Sequence, residues 1–484
     1  MKIGRLIVVL LLVLGVELGA GVRRDGIEIE MSVKGANEPS PALKYSLMFE
    51  YSKRHVGNAA LGYLMTDGLG YDEEPDDMPE SYFFDSEDDS NWWYGQLKEA
   101  AMCDNCDWSL PIREKGHNTT LPHLMKIRKF GKQLVIKADM EISKGEINQA
   151  IETITVGLAL AKHTASDCGS MGNYTGIRIA HLMFDQLERL MSLENCPNLY
   201  WAIAGIDNNM FNLVNVADID RNIIAYSFPA FKQLQAGELN EMQAMELAND
   251  VNELLNMVVP LGGERVIKDT SKMAMMMRMT TAHDYAKKFL LASGYTKDYV
   301  DNLPLVNAVM LFYYEEYQQV EDDMKKWYRL PFVQAYGRII EESDKLAKHC
   351  QESKVKNPLL MTLGLSHREY EVNNRIRRRY KALQVIEAIR DYLATEGCLP
   401  EKLTQIKNLP TSDDPATEKP FVYKKISDGK ATLTITKYDE YGKDRCYVLN
   451  LGKVEDWPPK RTKKKTAGFG DDVGMEDLFK IEDE

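Results

Sequence analysis

Seven cysteines in 484 residues, at positions 103, 106, 168, 196, 350, 398 and 446, are too few and too scattered to staple a small fold together. The number is odd, so full intramolecular pairing is excluded. The chain contains no phosphate loop, no dinucleotide fingerprint, no G-x-S-x-G elbow and no H-E-x-x-H stretch. The eight histidines never fall at ligand spacing on one helix face. Excess positive charge is missing too: the net charge is −13, which opposes nucleic acid and anionic lipid. Beyond residue 21 no apolar run approaches 18 residues, so no integral membrane span is expected once the first segment is removed.

That first segment is the clearest positive signal. Lys2 and Arg5 flank a basic start, Leu6 to Val16 is almost wholly apolar, and Gly19, Ala20 and Gly21 are small enough for cleavage. The layout is that of a secretory signal peptide over residues 1–21, too short to span a bilayer comfortably. Its removal takes Lys2, Arg5 and Glu17 with it, so −13 becomes −14. Export to the periplasm or cell envelope is the expected destination.

Residues 22–118 read as an N-terminal region with short helices, one or two of them within Ala42 to Leu64 and another from Trp92 to Met102. Ten carboxylates between 72 and 89, with Pro75 and Pro79, predict a solvated acidic loop. Residues 119–365 read as a body of helical hairpins. The clearest runs from Pro122 to Ile142, breaks at Ser143-Lys144-Gly145-Glu146, and returns with Ile147, Ala150, Ile151, Ile154, Leu158 and Ala161 on one face. A hairpin of this kind must bury its faces against neighbours. Further apolar stripes occur in 176–193, 247–258 and 309–327. Residues 366–457 open with a long helix stepping through Ile376, Tyr380, Leu383, Ile386 and Ile389 to Gly397. The β-prone runs 421–425, 431–437 and 446–451 follow, the first two joined at Ser427-Asp428-Gly429. Residues 458–484, basic at 460–465 and acidic from 471, predict a disordered charged tail. The expected fold is mainly α, with irregular stacked helical hairpins that are TPR-like in part and a small C-terminal α+β module.

Three resemblances accompany these residues. Gly145 to Ile151 looks like the turn and second-helix start of a tetratricopeptide-type repeat. Gly397-Cys398-Leu399-Pro400, Leu403 and the Asp413 to Phe421 stretch resemble the head of a type II secretion pseudopilin, as a shared supersecondary unit. More broadly, Pro41 to Tyr45, Gly57 to Ala60, Cys106-Asp107-Trp108, the 121–165 hairpin and Pro197 to Ala202 resemble exported helical proteins of planctomycete bacteria. That resemblance implies export and architecture, and no activity.

Candidate sites are few. Cys103-x-x-Cys106 has the spacing of a disulfide loop or redox couple, yet Asp104 and Asp107 raise rather than lower a thiol pKa. Met273, Met276 and His283 are weak soft-metal candidates, since the methionines at 273–279 divide between two helix faces and methionine also fills core gaps. Asn198, Tyr200 and Trp201 at a helix start, and Arg377, Arg378 and Arg379 on the long helix, are binding-surface candidates; the basic cluster equally suits a solvated face or a dock for the chain's own carboxylates. No catalytic residue and no cofactor is expected. The residues favour a non-enzymatic binding or scaffold protein with a protein or peptide partner. The alternatives are a metal- or thiol-dependent enzyme at Cys103/Cys106, supported by His163 or His283, and a secretion-machinery accessory.

Overall fold

A computed structural model describes residues 27–33, 45–49, 55–66, 92–166, 169–257, 271–352, 356–363, 366–437 and 445–451. The signal segment, the acidic loop and the charged tail lie outside the described residues. The chain is mainly α with a small C-terminal sheet region. The strands are β1 (Ile27–Ser32), β2 (His55–Asn58), β3 (Cys103–Asn105), β4 (Asp413–Asp414), β5 (Lys419–Pro420), β6 (Val422–Ser427), β7 (Lys430–Ile435) and β8 (Arg445–Asn450). The helices are α1 (Ala59–Met65), α2 (Trp92–Ala101), α3 (Ile112–Lys115), α4 (His123–Lys144), α5 (Ile147–Thr164), α6 (Gly169–Met191), α7 (Tyr200–Ala204), α8 (Leu213–Ser227), α9 (Ala230–Gln235), α10 (Glu241–Met257), α11 (Lys272–Ala292), α12 (Lys297–Asn302), α13 (Leu305–Lys325), α14 (Phe332–Glu352) and α15 (Ser366–Glu396).

Two compact units divide the chain, and the division cuts across the contiguous blocks expected from sequence. One, the inserted unit, comprises Ser109–Leu121 and Leu213–Tyr370; the other, the sheet unit, comprises Pro122–Asn212 with the described parts of Leu18–Trp108 and Glu371–Glu484. The expected body of 119–365 is therefore shared between them.

In the sheet unit, α4 and α5 form the hairpin that the apolar spacing predicts. Gly145 ends α4 in the left-handed region at φ 75°, its N–H reaching the carbonyls of Glu141 and Ile142; a residue without Cβ takes that conformation at no steric cost. Ala150, Ile154, Leu158 and Ala161 are buried, and so are Val156 and Leu160 on the opposite side of α5. The reason is a third helix. α6 crosses α5 so closely that a Cβ on Gly176 would stand 2.4 Å from the Ala161 carbonyl oxygen.

The sheet has the order β1-β8-β7-β6. β6, β7 and β8 form the antiparallel meander expected from 421–451, while β1 adds in parallel to β8, Ile27 opposite Arg445 and Ser32 opposite Asn450. Ile29 and Met31 are buried at alternate positions of β1, in a segment for which no element was expected. A second difference falls at 55–58, expected within a helical stretch but forming β2, which pairs in parallel with β3. Val56 and Gly57 explain it: β-branched and glycine residues are poor helix formers.

The inserted unit packs around α13, in which Val306 to Tyr314 are all buried. Phe231 stacks on Tyr314 at 4.7 Å, and Met275 and Met279 enter the same core from α11.

Candidate binding surface on α7 and α15

The chain before α7 is fastened to α15 by a closed polar network. Asn198 accepts from the Tyr200 N–H at 2.9 Å and donates through Nδ2 to the Glu387 carbonyl at 2.8 Å. The Glu387 carboxylate accepts from the Leu199 N–H at 3.1 Å and from Arg390 at 2.6 Å, and Arg390 donates onward to the Cys196 carbonyl at 3.0 Å. Burial pushes the Glu387 carboxyl upward, and Arg390 opposes that shift. A buried carboxylate survives only with such partners. Tyr200 is held at its far end, its hydroxyl donating to the Pro410 carbonyl at 2.7 Å.

Trp201 stands on this base. Its ring meets Tyr200 edge-on at 5.1 Å, and 40% of it remains exposed. Two turns back along α15 from Glu387, Tyr380 donates to Asn208 Oδ1 at 2.9 Å, and Arg377 is half-buried close to Tyr380.

Arg378 and Arg379 point inward. Arg378 makes a two-pronged bond to Asp414 at 2.8 and 2.6 Å and donates to the Thr436 carbonyl, tying α15 to β4 and the end of β7. Arg379 reaches Glu188 at 2.9 Å, Asp185 at 2.6 Å and the His181 carbonyl at 2.8 Å. Arg445 and the Tyr447 hydroxyl complete this cluster on Glu188. Burial pushes the Asp185 carboxyl up, but Arg379 and Arg445 together hold it below its ordinary range. Of the six surface candidates, Asn198, Tyr200, Arg378 and Arg379 are thus buried, and Trp201 and Arg377 remain accessible. The correction has a geometric cause: three consecutive helical residues fan through about 200° at ~100° each, so Arg377, Arg378 and Arg379 cannot share one face. Glu188, Glu387, Arg390, Arg445 and Tyr447 were not singled out from sequence. Glu387 and Arg390, oppositely charged and three apart on α15, carried a readable signal.

Cys103 lies in β3, opposite His55 of β2, and Cys106 follows one residue beyond the strand. Both are thiols. Both thiols, after burial itself, push the Tyr63 hydroxyl above its ordinary range. Burial, then Asp104 and Glu99, push the Cys103 thiol above its ordinary range. Behind the strand, Tyr63 from α1 is hydrogen-bonded to His163 Nδ1 at 2.9 Å, Trp108 donates to the His163 carbonyl at 3.0 Å, and Trp108 stacks on His123 at 4.7 Å. His163 is therefore part of an aromatic core.

The methionine candidates diverge in α11: Met273 is exposed, Met276 packs partly against the core, and Met275 and Met279 are buried. His283 lies seven residues beyond Met276 on the same helix, about 10 Å along its axis. Among the described residues no group of three or more His, Cys, Asp or Glu side chains converges as a metal site would require. No family model matches the chain, and no curated protein or solved structure matches it either.

Proposed function

We propose that this chain is a non-catalytic binding or scaffold protein of the periplasm or cell envelope, which takes a protein or peptide partner on the α7–α15 surface. The observation that carries this reading is Trp201: an aromatic side chain left 40% exposed on a base fastened by the hydrogen bonds of Asn198, Tyr200 and Glu387. Tryptophan is enriched among the residues that dominate interface energetics, and an anchor already held in place loses little conformational entropy on binding. The arginines that could have formed an anion site are engaged with the chain's own carboxylates, and the Cys103 thiol is raised away from nucleophilic reactivity.

Crosslinking and affinity capture from the native envelope fraction test it, with wild type beside Trp201→Ala. A recurrent partner recovered with wild type and lost with the variant is the expected result. Equal recovery by both chains, or none by either, would refute the assignment of this surface.

A further inference from the structure

A second surface of the sheet unit carries apolar side chains that no described residue covers. β2 and α1 present Val56 at 99% exposure, Met65 at 76%, Leu61 at 60% and Leu64 at 44%. Leu61, Leu64 and Met65 are three and four residues apart, so they occupy one face of α1. The opposite face, with Ala59, Ala60 and Tyr63, is buried.

This orientation is enforced. Asn58 caps α1 by accepting from the Ala60 N–H at 3.1 Å, and it clasps the Asp107 backbone with two bonds of 2.9 and 2.7 Å. Gly62 lies so close to α2 that a Cβ there would stand 2.7 Å from the Ala100 Cβ. At the other end Lys126 donates to the Leu64 carbonyl at 2.8 Å, beside Met125, itself 48% exposed. The helix cannot roll to hide its apolar face.

From this geometry we infer that the β2–α1 knob inserts shallowly into a zwitterionic bilayer surface. The side chains stand proud; a residue at 99% exposure lines no groove, and a fluid acyl layer accepts a convex apolar knob without a matching cavity. A seven-residue helix is also too small for a second copy, since a stable protein interface buries roughly 1,200–2,000 Å². This inference rests on the proposed export: with Leu6 to Val16 read as an export signal, the chain is delivered at a membrane. A net charge of −14 without the first 21 residues repels anionic headgroups, which selects neutral lipid and makes apolar burial the driving force. Lys126 at the rim has the long stem and charged head that suit the headgroup level.

The test is flotation of the exported form, purified from its own envelope fraction, with phosphatidylcholine vesicles. Wild type should float with the vesicles, and about 0.5 M sodium chloride, where charge screening is nearly complete, should not release it. L61D/M65D should lower the bound fraction at least about tenfold, as expected for two apolar side chains replaced by charges at the interface. The milder L61A/M65A should show a smaller loss in the same direction, with thermal midpoints confirming that both variants fold. V422D/I426D, altering exposed apolar residues of β6 instead, should float like wild type. Failure of wild type to float, flotation that needs anionic lipid and is lost in salt, or equal flotation of L61D/M65D would overturn the inference. So would capture of an envelope protein through these residues in place of vesicles.

Discussion

Arg379 and Glu188 form a buried ion pair, Nε to Oε1 at 2.9 Å with both side chains no more than 3% exposed, and the same carboxylate also neutralises Arg445. One carboxylate therefore serves two guanidinium groups and the Tyr447 hydroxyl. Glu188→Gln keeps the shape and removes the charge, leaving both arginines with Asp185 alone. The expected cost is about 3–5 kcal/mol, the usual penalty for stranding a buried charge, read as a lowered urea midpoint of the sheet unit.

Glycine positions give a paired prediction of opposite sign. Gly176→Ala drives a methyl toward the Ala161 carbonyl oxygen, 2.4 Å from the ideal Cβ, and backbone cannot swing aside; about 1–3 kcal/mol of destabilisation should follow. Gly95, exposed in α2, has nothing within 4 Å of its Cβ position. Gly95→Ala should stabilise by about 0.5–1 kcal/mol from helix propensity. Thermal melts of the two variants against wild type check both signs.

Acid should weaken the sheet unit through His123. Burial beneath Trp108 pushes this ring down to about 4, whereas an unfolded histidine titrates near 6.5. The folded state holds the ring neutral, so the contribution is fully present above pH ~6.5 and is lost as pH falls from there toward 4. Roughly 2–3 kcal/mol is at stake. Urea titrations at pH 7 and pH 5 should show a larger drop for wild type than for His123→Phe.

Thiol labelling should rank the cysteines by environment. Cys398 is exposed, Cys103 is partly buried and raised by burial and its acidic neighbours, and Cys196 is buried and pushed up to about 12. Iodoacetamide at pH 8 should modify Cys398 first, Cys103 more slowly, and Cys196 only after unfolding. Rapid labelling of Cys103 would contradict the charge environment described here.

Periodicity made the helices legible. The steps through Ile376, Tyr380, Leu383, Ile386 and Ile389 marked α15, Gly145 and Gly397 marked the ends of α4 and α15, and Ser427-Asp428-Gly429 marked the hairpin between β6 and β7. What remained hidden depends on partners distant in sequence. Nothing near Arg379 announces Glu188, and nothing near Asn198 announces Glu387; an ion pair and a hydrogen bond nearly 200 residues apart leave no local spacing to read. β1 was hidden for the same reason, because six alternating residues become a strand only when β8 arrives beside them. The accessible half of the candidate surface, Trp201 and Arg377, was visible as residue types, but which of the six neighbours would turn inward was decided by packing. Exposure of Val56, Leu61 and Met65 left no trace either, since apolar side chains read as core until the fold leaves them outside.

Pairing of β1 with β8 also sets the order in which this molecule can be finished. Ile27 meets Arg445 across more than 400 residues, so the first of the described strands to be synthesised must wait for the last of them before this pairing can form. The inserted unit's long stretch, Leu213–Tyr370, emerges whole within that interval and is free to condense early. The sheet unit closes only at the end, a long loop closure that topology makes slow. Truncation anywhere upstream of Arg445 therefore does more than trim a tail: it leaves the opening strand with its partner missing and one sheet edge permanently open.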